Sequence, residues 1–107
     1  MLIRAALVVA FALAGSDWTT HAPLPVARTE VAAATLGREI AVVGGFLENG
    51  GSSRRLDFYA PGSNTWRSGP DLPAAVNHAS ATVARGRLYV AGGGGRARRH
   101  AECDARL

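Results

Sequence analysis

Apolar residues in this chain fall into short runs separated by turn residues. Small and β-branched side chains dominate residues 28–36, and a second apolar run, residues 39–43, ends at Gly44 and Gly45. Between the runs lies the sequence Leu-Gly-Arg (36–38), which is typical of a tight turn. The pattern therefore predicts an antiparallel hairpin.

Two further strands are predicted after this hairpin. Residues 46–53 are rich in Gly, Ser and Asn and indicate a loop, whereas polar and apolar residues alternate from Arg54 to Tyr59, which favours a third strand. Residues 61–64 (Pro-Gly-Ser-Asn) form a turn, and a short fourth strand begins at Trp66. Four strands in up-and-down order are the blade of a β-propeller.

The same arrangement begins again 48 residues further along the chain. The coinciding positions are Trp18/Trp66, Leu24/Leu72, Pro25/Pro73, Ala27/Ala75, Ala33/Ala81, Val42/Val90, Gly44/Gly92 and Gly45/Gly93. A period of roughly 40–50 residues with strand-rich content is typical of propeller blades. The chain holds one full period and most of a second, whereas a repeat array needs about three or more units to bury a shared core. We therefore expect a piece of a larger propeller.

The spacing of these residues resembles the kelch-repeat family. In the order that the family shows, a Gly pair ends the second strand, Tyr59-Ala60-Pro61 closes the third, and Trp66 follows. The resemblance covers residues 18–95. It implies an all-β fold, a fragment of about one and a half four-stranded antiparallel blades of a kelch-type propeller, and a protein of the bacterial exported type. Ala60 stands where the family usually has Asp, which weakens the turn.

The residues that carry the resemblance have a structural explanation. They are Gly44, Gly45, Tyr59, Trp66, Gly92 and Gly93. A neighbouring sheet that packs against the Gly pairs leaves no room for Cβ atoms, and the two aromatic side chains are suited to pack between sheets. Trp18 belongs by its repeat position to a fourth strand, although the first three strands of that blade do not precede it in the chain.

The ends of the chain differ from the repeat region. Arg4 is followed by ten apolar or small residues that end in Ala-Leu-Ala, which is typical of a secretory signal peptide, with a buried strand of a preceding blade as the alternative. The tail lacks alternation and a Trp, which favours out-of-frame or truncated sequence over a genuine basic tail. The predicted organisation is a signal peptide (1–14), a kelch-like region (15–95, with repeats 18–65 and 66–95) and an irregular basic tail (96–107). Export to the periplasm or the extracellular space follows from the leader.

The net charge of +4 does not indicate a nucleic-acid partner, because the excess lies at the ends of the chain. Once Arg4 and the last twelve residues are set aside, seven Arg remain against six acidic residues. The repeat region therefore has no basic face that would follow a phosphate backbone. A leader of ten apolar residues is also shorter than the roughly 20 that span a bilayer. We expect no membrane association once it is removed.

Four polar residues are candidates for binding. Arg28 and Glu30 open the first strand of the first repeat, and Asn77 and His78 open the corresponding strand of the second. In propellers this strand lines the central channel, and loops at that end commonly form the binding face. The alternative is that these residues are solvated or paired with one another at the rim, since surface ion pairs are common and contribute little.

Neither a catalytic nor a metal-binding arrangement is found in the sequence. The glycines at 92–95 lack the Lys and Ser/Thr of a phosphate loop, and His100 with Cys103 supplies two ligands where structural zinc takes four. We therefore expect no catalytic residue, no metal and no cofactor. The predicted function is a binding or interaction module for a protein or carbohydrate ligand. One alternative is part of a galactose-oxidase-like or sugar-epimerase-like propeller enzyme whose catalytic residues lie in other blades; another is a non-functional remnant.

Overall fold

The computed structural model describes residue 15 and residues 17–95, which form two antiparallel sheets. The first sheet has four strands in the order β1-β2-β3-β4: β1 (Ala32–Leu36), β2 (Glu39–Val43), β3 (Leu56–Ala60) and β4 (Thr65–Ser68). The second sheet is a hairpin of β5 (Asn77–Ala84) and β6 (Arg87–Gly94). The all-β fold and the up-and-down order are confirmed. In the described part of the chain, no helix is long and apolar enough to span a membrane.

Three strand predictions differ from the structure. The first strand begins at Ala32, because Glu30 has a φ of 51° and interrupts the extended backbone after an isolated bridge at Thr29. The third strand begins at Leu56, because the carbonyl of Arg54 accepts a hydrogen bond from the Leu72 amide instead of joining the ladder. No strand forms around Trp18, whose side chain is 90% exposed.

The two hairpins share one register. Ala33 lies opposite Val42 in the first, and Ala81 lies opposite Val90 in the second. Each hairpin closes through two residues, although the turns differ. Only Gly37 has a positive φ in the first turn, whereas both residues of the second turn, Arg85 and Gly86, do. These conformations are those of type II′ and type I′ turns, respectively, which both match the twist of the strands.

The hydrophobic core lies between the two sheets. Alternation along the strands gives the first sheet a front face, which we define as the face that carries Ala32, Leu36, Ala41, Val43, Leu56 and Phe58. Leu88 and Val90 of the hairpin belong to the same core cluster. The back face of the first sheet carries Val42, Asp57, Tyr59 and Trp66.

The repeat period explains how the sheets stack. Because 48 is an even number, equivalent residues of the two repeats point to equivalent faces. Val90 is therefore on the back face of its own sheet and packs on the front face of the first. Val42, its equivalent, is also buried. The sheets stack front to back, which is the packing of successive blades in a kelch-type propeller.

The first Gly pair follows β2, and Gly44 lies beside the chain segment that enters the second sheet. A Cβ atom on Gly44 would lie 2.6 Å from the carbonyl oxygen of Val76, which enters the second sheet. This distance is far below a normal contact, so the predicted close approach is confirmed at Gly44. A Cβ atom on Gly92, the equivalent residue of the second repeat, meets nothing within 4 Å.

Candidate functional site

The two sheets meet at the residues that precede β1 and begin β5. Glu30 and His78 occupy the same position in the two repeats, and each has a φ of 51°. The His78 amide donates a 3.2 Å hydrogen bond to the Glu30 carbonyl. This backbone contact places the side chains together, with His78 Nε2 lying 3.3 Å from Glu30 Oε2. The sequence named both residues, and the structure brings them together.

Asn77, Ser52 and Phe46 complete this junction. His78 Nδ1 lies 2.8 Å from Asn77 Oδ1, while Asn77 Nδ2 donates a 2.7 Å hydrogen bond to Ser52 Oγ. The ring of Phe46 contacts the His78 ring edge to face, with centroids 5.6 Å apart. We call Glu30, Phe46, Ser52, Asn77 and His78 the rim cluster. Both ring nitrogens of His78 thus face oxygen atoms, and the orientation of the imidazole is fixed from two sides.

Backbone hydrogen bonds tie the rim cluster to both sheets. The Gly45 amide donates to the Val76 carbonyl, the Ser53 amide donates to Gly45, and the Val76 amide donates to Ser53, at 2.8, 2.8 and 3.0 Å. These three bonds close a ring between the end of β2, the loop that follows it and the entry to β5. A site built on such a junction keeps its geometry because the supporting backbone is held by the fold.

The loop of residues 46–53, which we call the rim loop, projects beside the cluster. It closes on itself through hydrogen bonds from Leu47 N to Gly51 O (2.8 Å) and from Gly50 N to Leu47 O (2.9 Å). Glu48 and Asn49 are exposed at its tip. Open grooves lie on both sides of the loop: Val26, Ala27 and Thr29 line one, and Ala75 and Gly95 line the other. The sequence predicted this loop but gave no reason to join Ser52 or Phe46 to the site.

The side chain of Arg28, the fourth candidate, does not reach the rim surface, although the residue lies beside the rim loop. Its guanidinium is fully buried against the back face of the first sheet, where Nη2 lies 2.6 Å from Asp57 Oδ2. Arg28 Nη1 also donates to the carbonyls of Gly44 and Arg55, at 2.9 and 3.1 Å. Arg28 is thus neither solvated nor paired with Glu30; it fixes the segment before β1 to β3.

A second arginine shares the Asp57 carboxylate. Arg55 donates to both Asp57 oxygens, at 2.7 and 3.0 Å, and Ser68 Oγ adds a 3.3 Å contact. Burial lowers the pKa of the Arg28 guanidinium, and the Asp57 carboxylate partly offsets this effect. Hydrogen bonding to Asp57 raises the pKa of Arg55. An acidic residue inside a strand that is otherwise apolar signals such a network, since a buried carboxylate needs cationic partners.

The aromatic pair of the motif lies on the back face. The rings of Tyr59 and Trp66 are 5.0 Å apart, Tyr59 is buried and Trp66 is half-buried. Trp66 Nε1 donates to the carbonyl of Ala22, and Tyr59 OH donates to Asn64 Oδ1, both at 2.8 Å. The pair therefore holds the segment that leads into β1 against the first sheet, which is a packing role.

No three His, Cys, Asp or Glu side chains within residues 15 and 17–95 are grouped as metal ligands. The predicted signal peptide, the basic tail and the pair His100 and Cys103 lie outside the described residues.

Comparisons with known proteins find similarity to one group of repeat proteins. A family model described as the Kelch motif matches residues 27–73. The chain is similar to Kelch-like protein 35 of Mus musculus, with 33% identity over 72% of this chain and 12% of the relative. It is also similar to Kelch-like protein terF of Aspergillus terreus, with 33% identity over 81% of this chain and 20% of the relative.

A solved structure agrees with the sequence matches. The structure of YjhT superposes with a TM-score of 0.64 and 25% identity, over 72% of this chain and 24% of that one. The chain thus spans at most about a fifth of the length of these two curated relatives and about a quarter of the solved structure.

Proposed function

We propose that this chain, which is similar to kelch-repeat proteins over most of its length, is a protein-binding module whose contact surface is the rim cluster with the rim loop. One observation carries this proposal. Side chains from the segment before β1, from the rim loop and from β5 converge at one junction, where Glu30, Ser52 and His78 come together. Residues on loops that a rigid scaffold positions are the usual binding residues of such folds.

The surface offers polar groups to a partner. The side chains of Glu30 and His78 are 54% and 58% exposed although they contact each other. Glu48 is exposed at the tip of the rim loop and has no hydrogen-bonding or ionic partner among the described residues. Together with the grooves beside the loop, these groups favour a protein segment that combines apolar side chains with a positive charge.

We further propose that this module works as part of a larger propeller. The front face of the second sheet exposes Ser80, Thr82 and Ala84, whereas the equivalent residues of the first sheet face the core. Within the described residues, β6 pairs with β5 only, although β2 pairs on both edges. A third and a fourth strand of the second blade would cover this edge, and a further blade of the same kind would cover this face. Export of the protein, as its predicted leader implies, is part of the same proposal.

Site-specific photo-crosslinking tests the binding surface. A photoreactive amino acid is placed at Glu48 in the full chain, expressed in its own cells, and adducts are identified by mass spectrometry. Arg38, exposed in the turn at the far end of the first hairpin, is the matched control position. We expect a discrete protein adduct at position 48 that is absent at position 38.

The purified partner then allows a quantitative test. Glu30→Gln and His78→Asn should each weaken binding by about tenfold, or roughly 1.4 kcal/mol, which exceeds the ~1 kcal/mol that marks a contributing interface residue. Equal adducts at both positions, or unchanged affinity in both variants, would contradict the proposed surface. Binding to a glycan array that the same variants weaken would point to a carbohydrate ligand instead.

A further inference from the structure

The rim loop contains a chemically reactive pair, Asn49-Gly50, which is the only Asn-Gly sequence in the chain. Both residues are exposed. An asparagine followed by glycine is suited to an intramolecular reaction, because the backbone nitrogen of the glycine has no neighbouring Cβ atom to hinder its approach to the asparagine side chain. We propose that Asn49 is a site of spontaneous deamidation that alters the rim loop.

The reaction consumes only water. The Gly50 backbone nitrogen attacks Cγ of Asn49, a C–N bond forms, and the side-chain amide nitrogen leaves as ammonia. The resulting succinimide is then hydrolysed at one of its two carbonyl groups. One product is aspartate, and the other is isoaspartate, in which the main chain continues through the side-chain carbon. Neither step changes an oxidation state, so no oxidant or reductant is needed.

The geometry of the loop supports attack at Asn49. The Gly51 amide donates a 2.9 Å hydrogen bond to Asn49 Oδ1, the oxygen that gains negative charge when Cγ is attacked. A backbone donor at such an oxygen stabilises the tetrahedral intermediate. The Gly50 amide donates to Leu47 O, which opposes the reaction until that bond opens. Exposed turns open at low free-energy cost, so this bond does not block the reaction.

The two other asparagines of the chain have side chains that hydrogen bonds fix within the fold. Asn64 Oδ1 accepts hydrogen bonds from the Ala22 amide and from Tyr59 OH. Asn77 is 8% exposed, and its amide bonds to Ser52 and His78. Neither is followed by glycine. Both therefore serve as internal controls within the same molecule.

Deamidation changes the loop in two ways. Aspartate places a second negative charge beside Glu48, and like charges on neighbouring residues repel. Isoaspartate adds one carbon to the main chain between Leu47 and Gly51, whose 2.8 Å hydrogen bond closes the loop. That closing bond is lost if the main chain lengthens, so the aged protein has an altered rim.

Peptide mapping of the full chain during incubation at neutral to mildly alkaline pH tests the proposal. We expect the peptide with Asn49 to gain about 1 Da and to split into aspartate and isoaspartate forms. This change should be at least about ten times faster than at Asn64 or Asn77, whose following residues carry side chains. In the variant Asn49→Gln, the mass gain at this position should disappear.

Two results would overturn the proposal: no mass gain at Asn49, or equal rates at the three asparagines. Deamidation is measured by mass spectrometry of the chain itself and does not depend on a binding partner. A chain that deamidates at Asn49 but shows no rim-specific crosslink would therefore retain this inference while the proposed function fails.

Discussion

Asp57 is the residue on which the buried charges of the first sheet depend. Its side chain and that of Arg28 are fully buried, and Arg55 and Ser68 contact the same carboxylate. Asp57→Ala would leave the Arg28 guanidinium buried without its counter-ion, which typically costs about 3–5 kcal/mol. We expect a loss of this size in the free energy of unfolding of the full chain, measured by urea titration with Trp fluorescence.

The control for this prediction is Asp17→Ala. Asp17 is exposed, and a surface substitution of this kind changes stability by about 0.5 kcal/mol or less. A loss at Asp57 no larger than the loss at Asp17 would mean that the network has no part in stability.

A substitution at Gly86 tests the left-handed backbone conformation of the second hairpin turn. It has a φ of 72°, and a Cβ atom there would meet nothing within 4 Å, so only the left-handed conformation opposes a side chain. Gly86→Ala should therefore destabilise the chain by about 1–2 kcal/mol. Gly62 also has free space around it but no positive φ, so Gly62→Ala should be neutral or slightly stabilising in the same urea titration. Equal effects at both positions would contradict the turn geometry.

At the scale of the strands, two equivalent glycines, one after β2 and one in β6, allow the effect of the contact between the sheets to be measured separately from the effect of backbone conformation. Gly44 and Gly92 both have positive φ, 61° and 70°, but only Gly44 lies against Val76. Gly44→Ala and Gly92→Ala share the conformational cost. Gly44→Ala should lower the free energy of unfolding by roughly 1–3 kcal/mol more than Gly92→Ala does, because its added methyl group forces the sheets apart. Urea unfolding of the two variants measures this difference, and equal losses would show that the sheets do not pack here.

The pair of Glu39 on β2 and Arg67 on β4 spans the intervening strand β3. Arg67 donates to both Glu39 oxygens, at 2.8 and 2.7 Å, and its guanidinium lies 4.1 Å from the centre of the Phe58 ring. The hydrogen bonds from Arg67 hold the pKa of Glu39 below its ordinary value of 4.5. Because the folded-state pKa is the lower one, the pair stabilises the sheet at neutral pH. Its contribution is lost as the pH falls through that folded-state pKa.

An NMR titration of the Glu39 side chain checks this direction. We expect a midpoint below 4.5 in the natural chain and a higher midpoint in Arg67→Gln, which removes the charge and most of the donors. A midpoint that does not move in Arg67→Gln would contradict the pairing.

The strands could be predicted from the sequence because each strand and turn is determined by residues close together in the chain. The Gly-containing turns, the apolar runs and the even repeat period determine the hairpins and place Val42 and Val90 on equivalent faces. The partner of Asp57 was not predictable in this way. Arg28 lies 29 residues away, and the contact depends on the path of an irregular segment across the back face. For the same reason, the sequence placed Arg28 at the rim, and it did not join Ser52 and Phe46 to His78.

At the scale of the whole molecule, one packing mode explains the core and the site together. The front face of the first sheet receives Leu88 and Val90 of the second, and this stacking brings the ends of the two sheets into contact. The rim cluster exists only at that contact, since Glu30 belongs to one repeat and His78 to the other. The candidate site is thus a consequence of sheet stacking rather than of either repeat alone.

Nuclear Overhauser contacts between the two sheets in the full chain test this account most directly. We predict cross-peaks between the rings of Phe46 and His78, whose centroids are 5.6 Å apart, and between side chains of the front-face core and Val90. If both hairpins show their internal contacts but these cross-peaks between sheets are absent, the stacking and the rim cluster built on it are wrong.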